Sequence, residues 1–296
     1  MFDIHHTIAR VFDDADMAQR TRRYPSDLSD SECALIEPLI PPSKSGGYNG
    51  GRPPVPRRDV IDAISYVVRT GCAWRQLPGD FPAWQTVYGL FSTWNKDGTL
   101  AGVHDELRGQ VRAVEGRAED PSAGIVDAQT IRGADTVGAG HRGYDAGKKT
   151  NGRKRHVIVD TVGLLLMVVV TAASVQDRDG GRLVTDQAAR IHPGLRLIWA
   201  DGGYAGRFVA WARQQWSIVV DVVRKRDGQR GFEVLPRRWV VERTFAWIMK
   251  CRRLAADYER KTEHAEAMVT WAMVGLMCRR LARHTNRADV TAYHWA

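Results

Sequence analysis

Arg155-His-Val-Ile-Val-Asp-Thr-Val-Gly-Leu-Leu-Leu-Met-Val-Val-Val-Thr-Ala172 reads as two strands folded back on each other. Arg155 to Asp160 and Leu164 to Ala172 are rich in β-branched and apolar residues, and Val162-Gly163 between them is a hairpin signal. Upstream, Gly124 to Asp127 is a short strand that ends in an acid. Downstream, Asp179 to Ile191 has helical character, Leu195 to Ala200 is a second short strand ending in an acid, Asp201, and Ser217 to Val223 is a further strand. Arg237 to Leu254 reads as a helix, and Thr262 to Arg283 as a long apolar one. The order is strand, hairpin pair, helix, strand, helix, strand, helix. It predicts a mixed α/β sheet whose first three strands are antiparallel.

The N-terminal half is different. Leu28 to Ile40 is a helix with a capping box at Ser29 and Glu32, and Pro41 and Pro42 end it. Arg58 to Arg69, closed by Gly71, and Ala83 to Asn95 follow, with apolar residues at helical spacing. Three short helices with tight turns fit an all-α, helix-turn-helix-like unit that either contacts DNA or packs on the following domain. A helix from Leu100 to Val114 links the two regions. The expected organisation is a polar tail over 1–25, a helical domain over 26–115, an α/β domain over 123–284 and a tail over 285–296.

The 296 residues carry a net charge of +9. Six basic residues against one acid lie between Arg142 and His156, and ten against three between Arg224 and Arg253. Together these segments exceed the whole net charge, so the rest of the chain is near neutral. Concentrated charge of this kind points to a polyanion-binding surface. Cys33, Cys72, Cys251 and Cys278 lack metal-ligand spacing and read as free thiols in a reducing compartment. Met1 to Arg20 has no apolar signal core and the run from Leu164 to Val170 is too short to cross a bilayer, so a cytoplasmic protein is expected.

Carboxylates at strand ends can share a divalent cation, because magnesium takes oxygen ligands and retains waters. Asp127 and Asp201 are placed in this way, and Glu242 shares a helix face with Arg238 four residues earlier. Each acid alone reads equally well as a turn former or a surface partner, and by physics alone Asp160, Asp177 and Asp179 qualify equally.

Four segments distinguish them. Ile125-Val-Asp-Ala-Gln-Thr-Ile-Arg-Gly133, Gly147-Lys-Lys-Thr-Asn-Gly-Arg-Lys-Arg-His-Val-Ile-Val-Asp160, Ala200-Asp-Gly-Gly-Tyr-Ala-Gly206 and Arg237-Arg-Trp-Val-Val-Glu-Arg-Thr-Phe-Ala-Trp247 resemble bacterial insertion-sequence transposases of the insertion sequence five family, within the DDE (RNase H-like) superfamily. Gly71-Cys-Ala-Trp-Arg-Gln-Leu-Pro78 and Trp84-Gln-Thr-Val-Tyr88 resemble that family's N-terminal region. The resemblance spans roughly residues 26–284. It implies an RNase H-like core with Asp127, Asp201 and Glu242 as catalytic metal ligands, and Mg²⁺ or Mn²⁺, as two ions, as cofactor. It implies cleavage at the inverted-repeat ends of an insertion element and strand transfer into target DNA. It also implies double-stranded DNA as partner, a homodimer in the transposition complex, and a place in the bacterial cytoplasm, on the nucleoid when DNA-bound. Leu235 and Met249 stand where the wider superfamily has a tyrosine and a lysine; Lys250, Arg252 and Arg253 are the substitutes at hand for that lysine's charge. A nuclease of the same fold, or a catalytically inactive DNA-binding derivative, would share the sequence signature.

Lys148, Lys149, Arg153, Lys154 and Arg155 are expected to steer the phosphate backbone toward the acids; Arg238 would hold a phosphate or orient Glu242, and Arg243, Lys250, Arg252 and Arg253 would extend the track. Gly51-Arg-Pro53 reads as a loop, with a weak likeness to minor-groove arms. Most tryptophans read as core; Trp239, beside Arg238, is the one placed to stack on a base. The nine histidines show no ligand spacing.

Overall fold

The computed structural model describes residues 21–42, 54–223 and 237–292. The Gly51-Arg-Pro53 tripeptide and the basic stretch 224–236 lie outside them.

Strands β1 (Ala123–Arg132), β2 (Gly143–Asp145), β3 (Thr150–Asp160), β4 (Leu165–Ala172), β5 (Leu197–Ala200) and β6 (Val219–Val222) form one mixed sheet. β3 pairs antiparallel with β1, β2 and β4, while β5 lies parallel between β1 and β6. This is the expected RNase H-like arrangement, and the hairpin turns at Gly163, which has φ +86°. β2 was not foreseen.

Helices α1 (Asp30–Ile36), α2 (Arg57–Thr70), α3 (Trp84–Lys96) and α4 (Thr99–Val114) precede the sheet. α5 (Asp177–Ile191), α6 (Arg207–Trp216), α7 (Trp239–Met249) and α8 (Thr262–Ala292) are interleaved with it or follow it. The Ser29 and Glu32 capping box is present on α1. α8 runs past the expected end at Arg283, into the stretch read as a tail. One sheet face is covered by α5 and α6, through Val184, Ala188, Phe208 and Ala212. On the other face, Ile125, Val157 and Val159 join one continuous core with α7, α8 and residues of α1 to α4, such as Ile64, Phe91 and Leu107. The helical region and the sheet therefore bury apolar surface against each other, the packing reading of the three helices.

Two expectations are corrected. Asp127 does not end a strand: it sits inside β1, opposite Val157 of β3. Beyond it, Ala128 to Arg132 lack apolar alternation but pair with Gly152 to His156 all the same. Secondly, of the five basic residues expected to steer DNA, Arg153, Lys154 and Arg155 lie within strand β3 and are buried. Arg153 is fully buried, reaching the Asp257 carboxylate at 3.2 Å and the Glu259 and Arg260 carbonyls at 2.8 and 3.0 Å. Arg155 is buried and donates to the Leu254 carbonyl at 2.9 Å; burial pushes its guanidinium down to about 10. Lys154 is paired with Asp177 at 2.9 Å and Asp145 at 3.4 Å. Buried cations need such partners, and these three serve the fold rather than a phosphate surface.

The hairpin turn is fixed by Asp160, which is fully buried. Its carboxylate accepts from the Val162 and Leu164 amides at 2.9 and 2.8 Å and from Arg112 of α4 at 2.5 Å. Asp160→Ala should cost about 3–5 kcal/mol, the loss expected when a buried charge is stranded. Urea unfolding of both proteins measures it; a difference under about 1 kcal/mol would mean that the turn holds without this pair.

Candidate active site

Each acid is placed by a different element. Asp127 lies in β1, with its Oδ1 accepting from the Ala128 amide at 2.7 Å. Asp201 follows β5, where the chain leaves the sheet; its carboxylate caps the next turn through the Gly203 amide at 2.8 Å. Glu242 stands in the first turn of α7. That helix is docked by the hairpin turn: Thr244 donates to the Gly163 carbonyl and Arg243 to the Val162 carbonyl, each at 2.7 Å. A Cβ at Gly163 would lie 3.0 Å from the Thr244 hydroxyl and 3.1 Å from the Trp247 ring, so the close approach needs glycine.

The three acids converge on one cation. Nη2 of Arg238 is 3.7 Å from Asp201, 3.9 Å from Asp127 and 4.0 Å from Glu242. These are long contacts that balance charge rather than tight hydrogen bonds. Asp127 is the most enclosed of the three, with its side chain 19% exposed against 34% for Asp201 and 55% for Glu242. Burial, reinforced by the charge of Asp201, pushes its carboxyl up to about 6, against the pull of the Ala128 amide and Arg238.

Among the described residues no three His, Cys, Asp or Glu side chains stand close enough to hold an ion as placed. The donor set nevertheless suits one: three carboxylates from three elements surround a single positive nitrogen, which stands in for a cation. Magnesium takes oxygens at roughly 2 Å, so an ion here would need the acids to close and Arg238 to withdraw.

Residues 118–277 match the family model described as "Transposase DDE domain". The chain belongs to this family. Residues 28–104 match a second model, "Putative transposase of IS4/5 family". Two Burkholderia cepacia proteins are similar. "Insertion element IS402 uncharacterized 16.2 kDa protein" is 34% identical over 118 residues, 39% of this chain and 77% of the relative. "Putative transposase for insertion sequence element IS402" is 33% identical over 119 residues, 38% of this chain and 56% of the relative.

In this DDE transposase the remaining basic residues are dispersed. Lys148 and Lys149 are exposed at the turn between β2 and β3, nine and eight residues from Val157, the partner of Asp127, or roughly 25–30 Å along the strand at ~3.3 Å per residue. Arg243 lies over the rings of Trp239 and Trp247 at 4.3 and 4.7 Å. Lys250 and Arg252 are exposed, while Arg253 is buried against Glu259 at 2.7 Å and so cannot supply an exposed charge. Trp239 is 42% exposed.

Sequence reading missed Tyr204. It is fully buried, and its hydroxyl has no partner among the described residues. Burial, then the charges of Asp127, Asp177 and Asp201, hold its phenol well above the ordinary value. Its place in the Asp201-Gly-Gly-Tyr204 segment was the available signal.

Because Asp127 sits above the ordinary aspartate value of 3.8, its ionised form costs the fold stability above about pH 6 and nothing below about pH 4. Metal-free Asp127→Asn should melt several degrees above the wild type at pH 7.5, with the gap closing by pH 4. Melting curves at both pH values check this, and a gap unchanged across the range would contradict it.

Proposed function

We propose that the chain cleaves DNA at the inverted-repeat ends of its own insertion element and joins the freed 3′-hydroxyls to target DNA, using Asp127, Asp201 and Glu242 as its carboxylate set. The observation that carries this reading is the convergence of the three side chains on the Arg238 guanidinium. Two Mg²⁺ or Mn²⁺ ions held there would supply Lewis-acid activation of the attacking oxygen and charge neutralisation at the leaving oxygen.

The chain's own groups perform the rest. Asp127 and Asp201, fixed by backbone amides, present their other oxygens to the centre. Glu242, the most exposed of the three, closes the set from α7. Arg238 balances the acids at rest and turns to a phosphate oxygen when DNA arrives, as a planar guanidinium suits. Exposed Lys148, Lys149 and Lys250 add sequence-independent backbone attraction. Joining two ends calls for two active sites, hence a homodimer in the complex.

A duplex carrying the element's end, incubated with Mg²⁺ or Mn²⁺, tests the reading. Asp201→Ala should lose more than about 100-fold in cleavage, beyond what a disturbed second ligand shell costs, while DNA binding persists. Equal cleavage by both proteins would make the acids turn formers. Binding without cleavage by either would leave a DNA-binding protein with no catalytic role.

A further inference from the structure

We infer that the cleft between α2, the end of α7 and α8 is a docking site for the phosphate backbone of duplex DNA, continuous with the catalytic centre. The inference rests on the proposed function and adds to it a surface that joins the helical region to the C-terminal helix.

The cleft has a volume of about 330 Å³, and Arg69, Trp247, Lys250, Arg279, Arg280 and Arg283 line it. No acid is among its lining side chains. Of these cations, Arg280 alone forms an ion pair among the described residues, with Glu115 at 3.5 Å. Burial, then the neighbouring charge of Arg69, holds Arg279 below the ordinary arginine value, against the pull of Glu32. Gathering like charges with so few counter-charges is unfavourable for the chain alone and is relieved by a polyanion.

The cleft also connects to the acids. Arg243 lies over Trp239 and Trp247, and Arg280 lies over the same Trp247 ring at 4.6 Å. Trp239, Arg243 and Trp247 follow at four-residue spacing, so they share one face of the helix that carries Glu242. Alternating rings and guanidiniums thus run from the catalytic end of α7 to the cleft and hold the cations in fixed orientation. Glu242 and Lys250 are about 12 Å apart at ~1.5 Å per residue. That is the axial length of three to four base pairs at ~3.4 Å each. A duplex with its scissile phosphate at the acids would pass the cleft a few base pairs further on.

Base-pairing contacts are not required here; backbone charge suffices. The mouth of the cleft is formed by exposed Lys250 and Arg283, so both can be truncated without opening the core. The test is fluorescence anisotropy of the full chain on a 30-base-pair duplex across a salt series. It compares wild type, the double variant Lys250→Ala/Arg283→Ala, and a control pair on the far side of the molecule, Arg196→Ala/Arg213→Ala. Two lost phosphate contacts should weaken binding about tenfold or more at 0.1 M salt. They should also reduce the slope of log K against log salt by roughly 1.8, at about 0.9 per contact, and the control should match wild type. Equal affinity and slope in the double variant would overturn the site while leaving the carboxylate reading intact. So would weaker binding with an unchanged slope, or a difference abolished by millimolar inorganic phosphate, which would mark a small-anion site. A wild-type chain that binds no duplex would bring down the proposed function as well.

Discussion

The buried Asp160 carboxylate is the constraint on which the rest of the architecture depends. It occupies the amides of Val162 and Leu164, and thereby turns the β3–β4 hairpin so that the carbonyls of Val162 and Gly163 face outward. Those carbonyls are the acceptors that hold α7 through Arg243 and Thr244. The same carboxylate takes Arg112 from α4, which ties the helical region to the turn. One charge therefore sets the hairpin, the position of the helix bearing Glu242, and the contact between the two halves of the chain. Its full burial makes that arrangement all-or-none, because neither partner has water to fall back on.

The acidic centre has the opposite character. Three carboxylates brought together repel one another, and Arg238 supplies a single positive charge against them at distances too long for strong bonding. Asp127, the most enclosed, resists ionisation first because it is buried and then because of the charge of Asp201. Such a site is poorly satisfied as it stands, and a doubly charged ion would satisfy it better. Strained electrostatics of this kind are common where a fold holds groups for chemistry rather than for stability.

Much of this was legible in the sequence. The hairpin, the short strands before Asp201 and Arg224, and the helices with clean apolar faces all follow from local pattern. What failed is physically informative. The outer halves of β1 and β3 are polar and basic, so periodicity gave no sign that they were strands. They are strands because Arg153 and Arg155 find acceptors in the segment around Leu254 to Arg260, about a hundred positions away. The same fact misassigned those cations to a DNA surface: charge density is visible in a sequence, whereas its internal neutralisation is not. Glu242 and Arg238 were legible as a helical pair, but their meeting with Asp127 and Asp201 depends on β1 and β5 lying side by side. Nothing local to Arg280 announced that it would cover Trp247.

The proposed function requires Asp127, Asp201 and Glu242 to act together as ligands of a divalent cation. Manganese binding to the full chain in the presence of duplex DNA, followed by electron paramagnetic resonance, tests it without relying on turnover. Each of Asp127→Asn, Asp201→Asn and Glu242→Gln should weaken binding at least tenfold relative to wild type, and any two together should add little, because the set acts as a unit. Manganese binding that survives all three substitutions unchanged would contradict the account.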